Sequence, residues 1–279
     1  MRALVLQYHD VTPPGAADSS GFANPAAATY KLDAADFAAH VRAVTAVAHH
    51  RPTADAPLAE RAGAPPVLFT FDDGGVSAHD VIAPVLEASG WRGHFFVTTD
   101  FIGTPGFLSA EQICALRRRG HVIGAHSCSH PTRMARCDEA TLRREWGESV
   151  RVLSAILGEP VTTASVPGGY YARRVAAAAA AAGIRTLFTS EPVARVGQVD
   201  GCAVVGRYTL RRWSPPRAAA RLAAGRRAPR YRQWLVWNAK KVVKQAAGDA
   251  YLRVWSALMR RNAPPAAAAP RATNIHPSK

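Results

Sequence analysis

Short apolar runs alternate with helix-length segments along the first 210 residues, and this alternation limits the fold more than any other feature. The runs have the length of buried strands, and the segments between them show the helical spacing of apolar residues. This alternation is typical of an α/β fold with a parallel sheet and outer helices, either a barrel or a doubly wound sheet. The predicted strands are 3–11, 67–71, 94–97, 121–125, 161–166, 185–189 and short strands near 203–209.

The segments between these strands carry helix start and stop signals. Ser109 and Asp138 are suited to cap helix N-termini, and Gly158 is suited to end a helix. The predicted helices are 32–47, 78–89, 109–119, 138–157 and 171–182. Two other segments are predicted to lack regular structure. Segment 12–29 is a loop long enough to act as a lid, and 51–66 is a linker rich in proline and alanine.

Polar residues follow the predicted strands at the point where each one ends. They are His9, Asp72 with Asp73, and His126 with His130, and Pro167 follows a fourth strand. The carboxyl ends of parallel strands meet at one edge of a sheet or barrel, where ligands and catalytic residues collect. We therefore expect these side chains to share one site.

The aspartate pair and the histidine pair together contain the ligands of a metal-assisted hydrolase. One aspartate and two histidines would leave a coordination position open for water, and the second aspartate could take a proton. Each motif alone has a simpler interpretation, because an Asp pair after a strand can cap a helix and a His-x-x-x-His spacing is often incidental. Their joint placement at strand ends favours the metal site.

The net charge of +15 is unevenly distributed. Sixteen of the 35 lysines and arginines, but only one of the 20 acidic residues, follow residue 210. The chain is therefore predicted to be a neutral domain, residues 1–211, with a strongly basic extension over 212–262 and a disordered tail over 263–279. The pI of about 10.5 describes this extension, not the catalytic part.

The extension is predicted to form helices near 217–227 and 230–261. Trp234, Trp237, Trp255 and other aromatic residues are interleaved with lysine and arginine there. This pattern is typical of a helix at the surface of an anionic membrane, and the alternative is a helix packed on the barrel with a solvated basic face. No recognised nucleic-acid-binding module is present, so we expect no nucleic-acid partner.

Cysteine usage and the first residues predict a cytoplasmic location. The four cysteines have no CxxC spacing, and the apolar run after Met1 is too short for a signal-peptide core. The sequence also lacks a run of eighteen apolar residues. We expect a cytoplasmic protein, or one peripheral at the inner face of the cell membrane.

Three motifs resemble those of the polysaccharide deacetylase family, also called the NodB-homology or carbohydrate esterase 4 family. Thr70-Phe71-Asp72-Asp73-Gly74 is similar to the first motif, and His126-Ser127-Cys128-Ser129-His130 to the second. The third motif, R-x-P-[YF], is present in degraded form at Ser165–Tyr170. The resemblance spans roughly residues 3–210 and implies a distorted (β/α) barrel.

The resemblance also implies roles for the motif residues. Asp72 corresponds to the general base, and Asp73, His126 and His130 to the ligands of a divalent metal. Zinc suits this set of nitrogen and oxygen donors best, with cobalt, nickel or iron as alternatives. Substrate and oxyanion contacts are predicted at Pro167, Gly168 and Tyr170.

The sequence departs from the family pattern in three ways. The third-motif arginine, which steadies the base, aligns with Ser165. The C-terminal catalytic histidine and the fourth motif's Asp-Trp have no counterpart. Tyr8-His9-Asp10 resembles the N-terminal element of poly-N-acetylglucosamine deacetylases, which supplies that histidine, so the resemblance assigns the general acid to His9. A histidine side chain titrates near neutral pH, as this role requires.

The predicted function is metal-dependent removal of an N-acetyl or other N-acyl group from an amino sugar. The substrate would be a glycan or a lipid-linked saccharide. Two alternatives remain open from the sequence: a deformylase acting on a lipid-linked amino sugar, and a non-catalytic barrel that binds glycan. The lost arginine and fourth motif favour the last alternative, and the retained metal ligands with Asp72 disfavour it.

Overall fold

The structure, a computed structural model, describes residues 1–48, 58 and 64–239. Eleven strands in this part form a curled nine-stranded sheet and a separate parallel pair, β2 with β3. The strands are β1 (Leu4–Tyr8), β2 (Val11–Thr12), β3 (Leu32–Asp33), β4 (Val67–Phe71), β5 (Gly93–Val97), β6 (Val122–Ala125), β7 (Thr163–Ser165), β8 (Thr186–Phe188), β9 (Gly197–Val199), β10 (Cys202–Val205) and β11 (Tyr208–Thr209).

Helices separate most of these strands. The α-helices are α1 (Pro25–Ala28), α2 (Ala34–Thr45), α3 (Ala83–Ala88), α4 (Ala110–Arg118), α5 (Glu139–Leu157), α6 (Arg173–Ala181), α7 (Pro216–Ala223) and α8 (227–239). A π-helical turn, Ala78–Ile82, leads into α3, and short 3-10 turns lie at Ala17–Ser19, Thr99–Phe101, Met134–Arg136 and Pro167–Gly169.

The nine strands of the large sheet follow the order β11-β1-β4-β5-β6-β7-β8-β10-β9. Every neighbouring pair is parallel except β9 with β10. The sheet curls into an open half-barrel, which confirms the distorted (β/α) barrel expected from the sequence. The last strand, β11, pairs with the first, and Leu6 lies opposite Tyr208. The first strand, β1, and the last strand, β11, can therefore present side chains to the same point.

The sheet separates a large outer core from a small inner one. Leu4, Leu6 and Tyr8 of β1 pack outward among the helices, and Val5 packs inward with residues such as Phe188. Successive side chains of a strand point to opposite faces of the sheet. The inner-facing side chains further along β1 and β4 are polar. They are Gln7, His9, Thr70 and Asp72, at or near the carboxyl edge of the sheet.

Most predicted helices and strands agree with the structure in type and order and differ at their ends. Two predictions were wrong in type: the segment 12–29 contains α1 and a 3-10 turn, and Leu32–Asp33 at the start of the predicted helix 32–47 form β3. Ser109 forms a capping box at α4, and the Asp138 carboxylate accepts the Thr141 N–H at the start of α5. Asp33 precedes α2, but its side chain makes no capping bond. The sequence did not predict β9, whose three residues are mostly exposed and carry little hydrophobic pattern.

Parts of the prediction lie outside the described residues. They include most of the linker 51–66, residues 240–262 of the basic extension and the tail 263–279. The start of the extension is described: α7 buries Ala219, Leu222 and Ala223 in the outer core. Over residues 1–48 and 64–239, no helix combines the length and apolar character needed to cross a bilayer.

Candidate metal and catalytic site

The two adjacent aspartates lie where β4 ends, inside the mouth of the half-barrel. Both are buried, Asp72 at 3% exposure and Asp73 at 6%. The chain turns sharply here, since Asp73 has a φ of 78° and Gly74 a φ of 85°. A left-handed backbone is strained for an aspartate, and such strain is often found at functional sites. The turn directs the two neighbouring carboxylates to different partners.

His126 and His130 follow β6 and converge on Asp73. The Nε2 atom of each histidine lies 3.4 Å from Asp73 Oδ1. Among the described residues, these three form the cluster whose donor atoms could bind one ion. The structure therefore brings together the three predicted metal ligands.

The geometry of this cluster fits a divalent cation. Tetrahedral zinc with bonds of about 2.0–2.1 Å places its ligand atoms about 3.3–3.4 Å apart, close to the separations seen here. Asp73 Oδ1 is buried without a hydrogen-bond partner among the described residues, a costly arrangement unless a cation or proton lies beside it. The donor set and its spacing thus both suit the expected metal.

The histidines are oriented by groups behind them. His126 Nδ1 lies 3.0 Å from the Ser165 carbonyl oxygen and 2.6 Å from its Oγ, which leaves Nε2 free to bind metal. Burial would raise the pKa of Asp73, but the two imidazoles hold it well below its usual value. Burial lowers the pKa of His130, and Asp73 more than compensates, so that this pKa is raised.

Asp72 binds Arg207 in a buried two-pronged ion pair. Arg207 is fully buried, and its Nη1 and Nη2 atoms lie 2.7 and 2.8 Å from the two carboxylate oxygens. Burial would raise the pKa of Asp72, but the Arg207 charge, followed by His126, brings it well below the usual range. Asp72 is therefore an ionised carboxylate that lies beside the metal ligands without being one of the converging three.

Two further donors complete the surroundings of Asp72. Ser165 Oγ donates to Oδ1 at 2.9 Å, and Gln7 Nε2 donates to Oδ2 at 2.8 Å. Gln7 is held in turn by Thr209, whose hydroxyl donates to its Oε1 at 2.8 Å. With Arg207, these donors fix both the orientation and the charge of the carboxylate.

Comparison with known proteins agrees with this geometry. The sequence profile of the polysaccharide deacetylase family matches residues 59–187. The matching family model and the similar solved structures are both those of polysaccharide deacetylases. The family consists of hydrolases that act on N-acetyl groups, which confirms the enzyme class predicted from the sequence. Among curated proteins, none matches the sequence.

Solved structures share the fold at low sequence identity. The deacetylase PplD of Streptococcus pyogenes, in complex with acetate, is 18% identical over 78% of this chain and 96% of its own, with a TM-score of 0.65. IcaB of Ammonifex degensii is 23% identical over 80% and 96%, with a TM-score of 0.62. The polysaccharide deacetylase BC0361 of Bacillus cereus is 17% identical over 80% and 69%, with a TM-score of 0.66. At these identities the likeness shows the fold alone.

Arg207 is the functional residue that the sequence analysis missed. The family resemblance located the expected arginine at Ser165, 42 positions before Arg207 in the chain. In the structure Arg207 follows β10 and points into the half-barrel, where it supplies the missing charge to Asp72. One signal was available, because Arg207 lies among the short apolar strands predicted near 203–209. An arginine that is buried in such a place is expected to have an anionic partner.

His9 lies at the end of β1, near both aspartates. Its ring packs on Tyr30 with 4.7 Å between centroids, and its Nδ1 is buried without a partner in the described part of the chain. The pKa of each aspartate is low despite the opposing effect of burial, and His9 is one of the groups that lower it. The His9 ring is therefore close enough to act on both carboxylates. The structure thus brings His9 to the site, and its role as acid stays a prediction.

The third-motif loop follows β7 and borders the metal loop. Pro167 is buried, and a Cβ on Gly168 would collide with the carbonyl oxygen of Thr132, just beyond His130. The Arg133 guanidinium lies 6.0 Å from the centre of the Tyr170 ring. The glycine is therefore required by a contact within the protein. Substrate contacts of Pro167, Gly168 and Tyr170 stay predictions.

Cys128 lies between the two histidines but behaves as an apolar filler. Its side chain is buried, and burial together with nearby Glu145 raises the pKa of the thiol to about 12. The Cys128 thiol is not part of the group of converging donor atoms among the described residues. The candidate metal ligands are therefore Asp73, His126 and His130, without the cysteine.

Proposed function

We propose that this chain is a metal-dependent hydrolase that removes an N-acetyl group from an amino sugar in a glycan or lipid-linked saccharide. One observation carries the proposal. A converging set of three metal-binding side chains lies next to a separate carboxylate that Arg207 keeps ionised. Hydrolysis of an amide needs a polarised carbonyl and a base for water, and this pair of groups would supply both.

Zinc is the proposed metal, with cobalt, nickel or iron as alternatives. Asp73, His126 and His130 would hold it, and their mixed oxygen and nitrogen donors suit each of these ions. When bound, the metal would polarise the acyl oxygen and lower the pKa of the attacking water.

Asp72 is the proposed general base. Its pKa, held well below the usual range against the effect of burial, keeps the carboxylate ionised throughout the neutral range. Arg207, Ser165 and Gln7 fix its orientation, so that little rearrangement precedes proton transfer from water.

His9 is the proposed general acid, which donates a proton to the leaving amine. The His9 ring packs on Tyr30, which limits the rotation of the ring. His9 also lies near both aspartates, on the same side of the sheet as the site. A main-chain N–H near Gly168 is the proposed second donor to the developing oxyanion.

The relatives support this chemistry by their own descriptions. PplD is a deacetylase described in complex with acetate, and a similar structure from Aggregatibacter actinomycetemcomitans is a de-N-acetylase. The latter is 18% identical over 74% of this chain, with a TM-score of 0.60. These similarities favour an N-acetylated sugar as the substrate.

Metal analysis combined with product release tests the proposal. The purified full-length chain should bind about one zinc ion and release acetate from N-acetylglucosamine oligomers. Asp72→Asn should retain the metal and lose activity by about 10³-fold, because the base is removed and the ligands remain. Release of formate from formylated sugars, without acetate, would replace the deacetylase by a deformylase.

Two other outcomes would contradict specific parts of the proposal. Metal bound without turnover of any acylated sugar would indicate a glycan-binding barrel. An unchanged rate in His9→Gln would remove His9 as the acid, while the metal site and Asp72 would stand.

Contact with an anionic membrane through residues 212–262 is part of the same proposal. Within the described part, α8 exposes four large apolar or aromatic side chains, those of Tyr231, Trp234, Leu235 and Val236. Residues 208–239 contain eight arginines and no acidic residue, so this part of the chain is strongly basic. Exposed aromatic residues among arginines favour an anionic lipid surface. We place the enzyme at the cytoplasmic face, acting on a lipid-linked saccharide.

Vesicle flotation tests the membrane contact. The full chain should float with vesicles containing phosphatidylglycerol and much less with neutral phosphatidylcholine vesicles, because the arginines need anionic headgroups. The triple variant Tyr231→Ser, Trp234→Ser, Leu235→Ser should remain with the unbound protein. Equal recovery of both proteins with anionic vesicles would contradict this contact and leave the deacetylase assignment intact.

A further inference from the structure

The loop between the two metal-binding histidines has a strained backbone. Ser127 and His130 have φ values of 63° and 58°, in the left-handed region that residues other than glycine seldom adopt. Each such residue costs about 1–2 kcal/mol, so the loop needs support from its surroundings. Its shape decides whether His126 and His130 point to the same place.

A buried carboxylate from a distant helix supports this loop. Glu145 of α5 has no exposed side-chain area. Its Oε2 accepts the backbone N–H groups of Cys128 at 3.1 Å and Ser129 at 2.9 Å, and its Oε1 accepts the Ser129 hydroxyl at 2.7 Å. Three donors from two adjacent loop residues thus converge on one carboxylate.

Other bonds fix the loop from the opposite side. The backbone N–H groups of Thr99 and Asp100 donate to the carbonyl oxygens of Ser127 and Cys128, at 3.3 and 3.0 Å. The Ser127 hydroxyl oxygen accepts the His130 N–H at 3.1 Å. Glu145 differs from these groups because it brings a charge, and hydrogen bonds to a charged acceptor are roughly twice as strong as neutral ones.

We propose that Glu145 is a positioning residue for the metal site, which holds the histidine loop in its binding shape before the cation arrives. The inference rests on the metal site of the proposed function. Preorganised ligands pay less ordering entropy when the ion binds, so a firmly held loop should raise metal affinity. Glu145 would act on the metal site through Cys128 and Ser129, neither of which is a proposed ligand.

Zinc affinity in the full chain, measured by competition with a chromophoric chelator, tests this role. Glu145→Gln should bind zinc about 10–100-fold more weakly, because a neutral amide offers one acceptor oxygen in place of a carboxylate. Glu148→Gln is the matched control, since Glu148 lies one turn later on α5 and pairs with Arg151 at the surface. Its affinity should remain within about twofold of wild type.

A second variant keeps the test valid if Glu145→Gln folds poorly. Ser129→Ala removes only the 2.7 Å bond to Glu145 and should weaken zinc binding by a smaller factor. Amide hydrogen exchange of the metal-free wild type gives an independent measurement, in which the Cys128 and Ser129 amides should be protected. Unchanged affinity in both variants, or rapid exchange at both amides, would overturn the proposal.

These results separate this proposal from failure of the proposed function. A wild-type chain that binds zinc but releases no acetate would contradict the deacetylase assignment, and the Glu145 measurements would still be valid. A wild-type chain that binds no divalent metal would overturn both.

Discussion

Ionisable side chains are buried at both edges of the sheet, but the aspartates at the carboxyl edge are charged and a histidine at the amino edge is neutral. At the carboxyl edge, Asp72 is ionised against Arg207, and the pKa of Asp73 is held low beside two histidines. At the amino edge, burial lowers the pKa of His94 to about 4, so that the ring is neutral at physiological pH. Because a buried charge is expensive unless paired, the aspartates at the carboxyl edge are charged beside cationic or metal-binding partners, and His94 at the amino edge is neutral.

The neutral edge also shows how a buried histidine is satisfied without charge. The Gly93 N–H donates to His121 Nδ1 at 3.0 Å, so Nε2 carries the proton and donates to Glu87 at 2.7 Å. Burial lowers the pKa of His121, although Glu87 opposes the shift. Histidines at this edge serve packing, and those at the carboxyl edge serve the site.

The strongest test of the comparison removes a charge from the carboxyl edge. Asp73→Asn should lose both bound zinc and activity, the latter by about 10³-fold or more, because an amide is a weak ligand for a dication. Metal content and acetate release measure the two losses. Asp72→Asn, which should keep its metal, is the control, and full zinc occupancy in Asp73→Asn would refute the ligand assignment.

The next effect comes from breaking the buried pair. Arg207→Met leaves the Asp72 carboxylate buried without its counter-charge and should lower the free energy of unfolding by about 3–5 kcal/mol. Urea denaturation measures this change. The double variant Asp72→Asn with Arg207→Met should recover much of the loss, because no unpaired charge remains. Equal destabilisation of the single and double variants would show that Arg207 acts by packing alone.

At the neutral edge, His94 should make the protein sensitive to acid. The unfolded side chain takes up a proton near pH 6.5 and the folded one only near pH 4, so stability falls as the pH decreases between these values. The total loss is about 3 kcal/mol. His94→Leu should show a shallower decline of stability between pH 6.5 and 4 in urea denaturation. An identical pH profile in this variant would contradict the neutral state of His94.

The smallest effect is expected from removing the Ser165 hydroxyl, which lies between Asp72 and His126. Ser165→Ala removes the hydroxyl that donates to Asp72 and lies 2.6 Å from His126 Nδ1, but it retains the carbonyl oxygen that also faces His126. The kcat/KM value should fall by up to about tenfold, equivalent to one hydrogen bond of about 1 kcal/mol, with metal affinity nearly unchanged. A large loss of zinc would show instead that the hydroxyl supports the ligand.

Local sequence located the three side chains that converge in the candidate metal site because the signals that place them are short in range. The apolar run of β4 defines where the strand ends, and the two aspartates follow it directly. His126 and His130 are four residues apart after another strand, so one loop presents both. Parallel strands bring these two ends to the same edge whatever their exact register.

The supports of the site could not be predicted from the same signals. Arg207 is 135 residues from Asp72, Gln7 is 65 residues from it, and Glu145 lies on a helix that passes beneath the histidine loop. Their contacts depend on the strand order, which places β11 beside β1, and on the curl of the sheet. The sequence by itself determined the strand alternation and the candidate metal-binding side chains. Only the tertiary structure decided which distant residues hold them, since long-range partners are chosen by packing and not by local pattern.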